Sequence, residues 1–313
     1  MLSRFAPSLT GYLHLGHVLH MLYVWGIAKK MGAKVLCRME DHDLSRARPE
    51  YEPAILDTME WLGFVPDFGI RAGLSSSPSE FRQSDCSEYY QSVLQSLKKR
   101  GLVYGCECSR KEIQESMAGG ITAAASADHA HPVPLHSSEL CYSGTCSEKG
   151  LPLAGNTVRF RTLAGAVIFQ DLERGEQRQT PRNQCGDFSL RDRNGQWTYQ
   201  FACVSDDIRH GVDLVIRGED ILFSTARQIQ LFQTLEAPVP QYIHHSLLFD
   251  GEGRKLSKRQ RSESITCLRE AGSSSEEIIG RSAFYGKLTP SYRPLSLDDA
   301  LGLISCAGNV SNK

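Results

Sequence analysis

The sequence has no apolar run that approaches the roughly 20 residues a helix needs to cross a membrane. Its first residues also lack the apolar core of a secretory signal peptide. No internal repeat is visible, so a repeat architecture is not expected. These absences argue against the membrane-spanning and secreted classes, and we expect a cytoplasmic protein with no membrane partner.

The chain also lacks an excess of charge of either sign, since 35 Lys and Arg face 36 Asp and Glu. No global basicity indicates a nucleic-acid partner, although a local basic surface can still bind phosphates. Ten cysteines without a secretory segment indicate a reducing compartment, where thiols are free, buried or bound to metal. The length of 313 residues suits one large or two modest globular domains.

The most informative segment that is present is His14-Leu15-Gly16-His17, which follows a short predicted strand and turn-forming residues. Apolar residues at helical spacing and a terminal glycine predict a helix over residues 16–31. The histidines then lie in its first turn, where unpaired N–H groups and the helix dipole favour phosphate. Two histidines that merely cap a surface helix fit the same pattern.

A second strand is predicted over residues 34–39, so strand, helix and strand form a βαβ unit with a parallel sheet. Ligands of such sheets bind beyond the carboxyl ends of the strands. Arg4, Ser8 and Glu40 fall at that edge together with the two histidines. This convergence favours a binding site over simple capping.

The remaining chain alternates predicted helices and strands around one unusual segment. A helix is predicted over residues 91–100, and residues 115–140 are rich in small residues, histidine and proline, as in a loop or insertion. Further elements are predicted beyond this segment. They are strands over 157–163, 166–171, 213–217 and 242–249, an ambiguous strand-like alternation over 197–203, and a helix over 224–235 capped by Ser224.

These elements predict an α/β fold in four parts. Residues 1–105 form the first half of a nucleotide-binding sheet, and residues 106–190 form an inserted module. Residues 191–250 form the second half, and residues 251–313 form a loop and a small helical tail.

A second basic segment, Lys255-Leu256-Ser257-Lys258, follows a glycine-rich turn after the last predicted strand. A loop with two ammonium groups can fold over a triphosphate and stabilise charge that moves onto departing pyrophosphate. A solvated basic turn is the simpler interpretation of this segment alone. Combined with the histidine segment, it favours activation of a carboxylic acid with ATP.

In this order, Arg-Phe-Ala-Pro-Ser-x-Thr-Gly-x-Leu-His-x-Gly-His and the later Lys-Leu-Ser-Lys resemble class I aminoacyl-tRNA synthetases of the glutamyl and glutaminyl group. The resemblance runs from Arg4 to Arg259. It implies a Rossmann-type parallel sheet split by a connective insertion. It further implies that glutamate, ATP and Mg²⁺ yield an adenylate, from which glutamate passes to RNA.

The resemblance also implies roles for individual residues. The glutamate site maps to Arg4, Ser8, Glu40, Tyr199 and Arg217. ATP maps to His14, Gly16, His17 and Lys258, with His14, His17, Lys255 and Lys258 as the catalytic groups. Taken singly, Arg217 also fits a strand-end ion pair, and Tyr199 also fits a core aromatic residue.

Fifty-five residues follow Lys258, which is too few for a large anticodon-reading domain. The chain therefore resembles a truncated subfamily, and we expect it to be a monomer. This resemblance implies transfer of glutamate onto the modified base queuosine in the anticodon of tRNA(Asp), and activation of glutamate without RNA.

Cysteines flank the unusual segment, with Cys106 and Cys108 before it and Cys141 and Cys146 after it. Thiolates at the two ends of a loop form a reasonable zinc site in a module with little core. The resemblance implies the ligand set Cys106, Cys108, Tyr142 and Cys146. Rival ligands are present in Cys141 and in three histidines of the segment, His129, His131 and His136.

Three other functions remain open from the sequence. The chain fits the catalytic fragment of an ordinary glutamyl-tRNA synthetase, which the resemblance implies needs tRNA before it activates glutamate. It also fits a paralogue that binds glutamate or ATP without catalysis. A nucleotidyltransferase with the same histidine motif would not need the Arg4, Glu40, Tyr199 and Arg217 set.

Overall fold

A computed structural model describes residues 1–73, 78–119, 140–248 and 264–305. Within these ranges, every helix is too short or too polar to span a bilayer. In chain order the strands and helices are β1 (Leu2–Phe5), α1 (Leu15–Met31), β2 (Lys34–Cys37), α2 (Tyr51–Trp61), β3 (Phe68–Gly69), α3 (Ser87–Lys99), β4 (Val103–Cys106), α4 (Arg110–Gly119), β5 (Thr157–Phe160), β6 (Val167–Asp171), β7 (Gly175–Gln179), α5 (Pro181–Cys185), β8 (Ser189–Arg191), α6 (Tyr199–His210), β9 (Leu214–Gly218), α7 (Thr225–Thr234), β10 (Gln241–His245), α8 (Ile265–Glu270), α9 (Ser275–Tyr285) and α10 (Leu297–Leu303).

The predicted βαβ unit is confirmed by β1, α1 and β2. Strands β1, β2 and β3 pair in that order, and both pairings are parallel. Helix α1 ends where the sequence predicts, because Gly32 adopts a left-handed backbone with φ of +63° and its N–H bonds to the Ala28 carbonyl. The first half of the sheet therefore presents the carboxyl ends of β1 and β2 at one edge.

The second half of the sheet has the order β7-β6-β10-β9, with β10 parallel to both β6 and β9. It adjoins the first half, since the Asp213 N–H donates to the Leu2 carbonyl at 3.1 Å. Strands β6 and β7 lie within the predicted insertion of residues 106–190, yet they pair beside β10. The four-part division of the chain stays a proposal.

A separate antiparallel sheet, β4-β5-β8, includes Cys106 as the last residue of β4. Its core packs Tyr90 and Leu94 of α3 and Phe201 of α6 against Phe160 of β5, and all four side chains are fully buried. Helix α7 contributes to this core and packs on β6, so it connects the antiparallel sheet to the second half of the parallel sheet.

Two local predictions are wrong. Residues 197–203 do not form a strand, because Tyr199 begins helix α6, which ends at Gly211 with φ of +69°. The alternation is incidental, since Phe201, Ala202, Cys203 and Val204 are all buried. Helix α7 forms as predicted, but the Ser224 side chain does not cap it and instead accepts a hydrogen bond from Gln200 at 3.0 Å.

The C-terminal helices pack on α1 through a close contact at Gly26. A Cβ atom at Gly26 would lie 2.7 Å from Cγ1 of Ile304, whereas a Cβ at Gly302 in α10 meets no described atom within 4 Å. Packing therefore leaves no room for a side chain at position 26, whereas position 302 has room for one.

We predict that Gly302→Ala raises the free energy of unfolding by up to about 1 kcal/mol, because alanine loses less backbone entropy in a helix. Gly26→Ala should lower it by about 1–2 kcal/mol, because Ile304 must move to admit the methyl group. Urea unfolding of both variants checks the difference. Equal changes in the free energy of unfolding would contradict the close contact between Gly26 and Ile304.

Candidate functional site

A cavity of about 610 Å³ opens at the carboxyl ends of the parallel strands. It brings together six residues predicted from sequence to form the site: Arg4, Ser8, His17, Glu40, Tyr199 and Arg217. Ser8 and Glu40 face each other in a parallel bridge just beyond β1 and β2. His14 and Gly16 lie in the adjoining first turn of α1 and are not part of the cavity wall.

The two histidines of the first turn are fixed by the helix end itself. The Nδ1 atom of His14 accepts from the Gly16 N–H at 3.0 Å, and the Nδ1 atom of His17 accepts from the His14 N–H at 3.1 Å. The proton of each neutral ring is therefore on Nε2. A side chain at position 16 would press within 2.8 Å of the His14 ring, so glycine is required there.

Arg38 is the centre of a buried charge network below the cavity floor. It contacts Asp207 at 2.7 Å and Glu40 at 3.1 Å, and its side chain is fully buried. Burial lowers the pKa of Arg38, but Asp207, Asp206 and Glu40 outweigh burial and hold it well above the ordinary value. Arg38 therefore stays charged and fixes Glu40 at the cavity wall.

Arg4 shares one of these carboxylates. Its Nε lies 3.4 Å from Asp207, and one terminal nitrogen donates to the Ile216 carbonyl at 3.2 Å. Burial raises the pKa of Asp207, but Arg38 and Arg4 outweigh it and hold the pKa below the usual value. Asp207 therefore compensates two guanidinium groups at once.

Arg217 is also buried, but its bonding partners are different. It donates from Nε to His244 at 2.9 Å, and from its two terminal nitrogens to Gln228 at 2.6 Å and Thr225 at 2.8 Å. All three partners accept as neutral groups, and no ion pair joins Arg217 to a carboxylate of the described ranges. A buried cation paired only with neutral acceptors favours an anionic ligand in the cavity.

Tyr199 stands at the start of α6 between two cavities. It lines the main cavity and also a second cavity of about 590 Å³, which extends to Cys108, Tyr142 and Arg159. Burial, followed by the neighbouring Cys203, raises the pKa of Tyr199. Its phenol is therefore protonated at neutral pH and can donate a hydrogen bond.

The cysteine pairs converge in the antiparallel module. The sulfur atoms of Cys106, Cys108 and Cys146 lie within 4.8 Å of one another. The Tyr142 hydroxyl lies 3.3 Å from the Cys106 sulfur and accepts from the Cys146 N–H at 2.8 Å. The extra thiol, Cys141, instead contacts the carbonyls of Arg182 and Asn183.

The cluster has the spacing and chemistry of a four-ligand metal site. A tetrahedral zinc ion, with bonds of about 2.3 Å to sulfur, holds its thiolates about 3.8 Å apart. Cys108 and Cys146 lie 3.5 Å apart. Burial raises the pKa of Cys108 to about 11 and also raises that of Tyr142, whereas hydrogen bonds led by that from Tyr142 outweigh burial and lower the pKa of Cys146 to about 7. Cys108 and Tyr142 would therefore lose their protons only to a bound metal. The residues therefore fit zinc.

Several predicted residues lie outside the described ranges. These are the catalytic lysines, Lys255 and Lys258, and the rival metal ligands, His129, His131 and His136. The convergence of lysines and histidines on one triphosphate therefore stays a prediction.

Sequence reasoning missed the groups that support the site from behind. Asp206 and Asp207 are buried charges of α6, Arg38 is a buried charge just beyond β2, and His20 lines the cavity from α1. A charge within the otherwise apolar strand predicted over residues 34–39, Arg38, is the one sequence signal for this network. Two partners of Arg38, Asp206 and Asp207, are brought in by α6, whose helical character the sequence did not reveal.

Comparisons with known proteins show which family the chain belongs to. The family model described as tRNA synthetases class I (E and Q), catalytic domain, matches residues 1–287, and the chain belongs to this family.

Curated relatives named glutamyl-Q tRNA(Asp) synthetase match most of this chain. The one from Nitratidesulfovibrio vulgaris is 38% identical over 97% of this chain and 92% of its own length. The one from Rhodobacter capsulatus is 34% identical over 89% of this chain and 98% of its own length.

A solved glutamate-tRNA synthetase from Elizabethkingia anophelis has the same fold. It superposes with a TM-score of 0.75 at 26% identity, and covers 97% of this chain and 66% of the solved one. The predicted class I synthetase fold is confirmed.

We predict that Arg38→Met lowers the free energy of unfolding by roughly 3–5 kcal/mol at pH 7, because it leaves buried carboxylates without their cation. Asp207 has a folded-state pKa below its unfolded value, so its contribution is present above pH ~4 and is lost as the pH falls through the folded value. The loss caused by Arg38→Met should therefore shrink in acid. Chemical denaturation at several pH values measures it, with the exposed Arg178→Met as control.

Proposed function

We propose that this chain activates L-glutamate with ATP and Mg²⁺ and transfers the glutamyl group to the queuosine base in the anticodon of tRNA(Asp). Activation of glutamate is supported by the buried Arg217, whose hydrogen-bond acceptors in the described ranges are all neutral. Transfer to queuosine is supported by the relatives named glutamyl-Q tRNA(Asp) synthetase, which match this chain over nearly their whole length.

Arg217 would bind the side-chain carboxylate of glutamate. A guanidinium has five N–H groups, and three of those on Arg217 are taken by protein acceptors. Two remain, one on each terminal nitrogen, which suits a bidentate carboxylate. A neutral amide in the same position would leave the buried charge uncompensated, which favours glutamate over glutamine.

Glu40 would hold the α-ammonium group. One of its carboxylate oxygens accepts from Arg38, which leaves lone pairs for a ligand in the cavity. Tyr199 contributes a protonated hydroxyl, Ser8 a further hydroxyl, and Arg4 positive charge. This arrangement leaves the α-carboxylate free to attack.

ATP would bind beside the first turn of α1, where the Nδ1 atoms of His14 and His17 accept from the backbone and each Nε2 can donate to a phosphate. The α-carboxylate of glutamate attacks the α-phosphorus, and the bond to pyrophosphate breaks. Lys255, Lys258 and Mg²⁺ would stabilise the charge that develops on the leaving group. A queuosine hydroxyl then attacks the glutamyl carbonyl and releases AMP.

The cysteine cluster would hold zinc through Cys106, Cys108, Cys146 and Tyr142. Such a site stabilises a module whose own hydrophobic core is small. The proposed cofactors are ATP, Mg²⁺ and Zn²⁺, and the proposed partners are L-glutamate and tRNA. We propose that the chain acts as a monomer in the cytoplasm.

We predict exchange of pyrophosphate into ATP in the presence of glutamate and the absence of RNA. Labelled glutamate should pass to tRNA(Asp) with queuosine and not to the same tRNA with guanosine at that position. Arg217→Ala should reduce exchange at least ~100-fold, because it removes the partner of the carboxylate, and should leave ATP binding nearly unchanged. Exchange that needs tRNA would favour an ordinary glutamyl-tRNA synthetase, and no exchange under any condition would favour a binding paralogue.

We predict that the purified protein contains one zinc ion and that Cys106→Ser loses it, because a hydroxyl is a far weaker zinc ligand than a thiolate. Cys141→Ser is the matched control, since that thiol points to the Arg182 and Asn183 carbonyls and should retain the metal. Metal analysis by mass spectrometry gives the result. Zinc loss from Cys141→Ser alone would reverse the ligand assignment.

A further inference from the structure

A fully buried carboxylate and a fully buried imidazole stand behind Arg217. The Nδ1 atom of His244 lies 2.6 Å from Oδ2 of Asp171, and both side chains are inaccessible to solvent. A carboxylate only accepts, so the Nδ1 atom carries a proton. On the other side of the ring, Nε2 lies 2.9 Å from Nε of Arg217, which only donates. His244 is therefore a neutral ring with its proton on Nδ1.

Thr225 completes the arrangement. Its hydroxyl lies 3.1 Å from Nε2 of His244 and 2.8 Å from a terminal nitrogen of Arg217. Because the guanidinium donates to this hydroxyl, the hydroxyl hydrogen is available for His244. The lone pair on Nε2 of His244 is thus shared by hydrogen bonds from Arg217 and Thr225.

Asp171 is itself held by the turn that joins β6 and β7. Its Oδ1 atom accepts from the backbone N–H groups of Glu173 at 3.0 Å and Arg174 at 2.9 Å. The other oxygen is therefore directed to His244. Burial lowers the pKa of His244 to about 4, against the opposing effect of Asp171, so the ring stays neutral at physiological pH.

We infer that Asp171 and His244 are positioning residues, which fix the orientation of Arg217 through the tautomer of the imidazole and thereby set the affinity for the substrate side-chain carboxylate. This inference rests on the proposed role of Arg217. The neutral ring leaves Arg217 without an ion pair to a protein carboxylate of the described ranges, while it still prevents rotation of the guanidinium. The specificity of the cavity thus depends on a turn of the β6–β7 hairpin.

Asp171→Asn tests the inference with almost no change of shape. The amide oxygen can keep the two backbone N–H bonds, and its NH₂ group then faces Nδ1 of His244. The ring must move its proton to Nε2, where it opposes the Nε–H of Arg217. We expect the KM for glutamate in pyrophosphate exchange to rise roughly 10- to 100-fold, while the KM for ATP and the kcat change less than about threefold.

A second variant separates orientation from general damage. The amide oxygen of His244→Gln accepts near the position of Nε2 without any tautomer. In the Asp171→Asn background it should recover part of the lost glutamate affinity. Asp187→Asn is the matched control, because Asp187 is a buried carboxylate that serves Tyr104 and Thr162 in the other sheet. It should leave the KM for glutamate unchanged.

Direct titration of glutamate into each protein distinguishes the possible failures. If the unaltered protein does not bind glutamate, the proposed function and this inference both fall. If it binds glutamate and Asp171→Asn binds equally well, only the positioning role is overturned. An equal loss in Asp187→Asn, or no recovery in the double variant, also overturns it.

Discussion

Three guanidinium groups are buried at one end of a parallel sheet, and the uneven compensation of their charge governs the site. Asp207 serves Arg4 and Arg38 together, and Glu40 adds to the partners of Arg38. Arg217 receives only neutral acceptors in the described ranges. Because a buried charge without an ion-pair partner is costly away from water, an anion that entered beside Arg217 would stabilise it.

The fold follows from the sequence where local signals are strong. Helix α1 has histidines at its start, lysines in its last turn and a left-handed glycine at its end, and its prediction is confirmed almost to the residue. Residues 197–203 show the limit of periodicity, since a helix buried on several sides has apolar residues at every spacing. The pairing of β6 with β10 depends on tertiary packing, for which no local pattern exists.

The cavity was predictable for a topological reason. Residues that follow parallel strands meet at one edge, which is why Ser8, Glu40 and Arg217 converge although they are far apart in sequence. The supports of these residues were not predictable, because Asp171 and His244 read as ordinary strand-end residues until β6 and β10 are paired. Tyr142 could be assigned to the cysteine cluster only by resemblance, since a phenol is an unusual metal ligand.

The capping histidines of α1 have a consequence for any study of this chain. His14 and His17 bond reciprocally to each other's backbone and so close the N-terminus of the longest helix. Loss of a helix cap typically costs about 0.5–2 kcal/mol. A substitution at His14 would therefore fray the first turn and displace the backbone N–H groups of that turn at the same time. Reduced activity of a His14 variant would therefore reflect the altered backbone of the first turn as much as the missing imidazole.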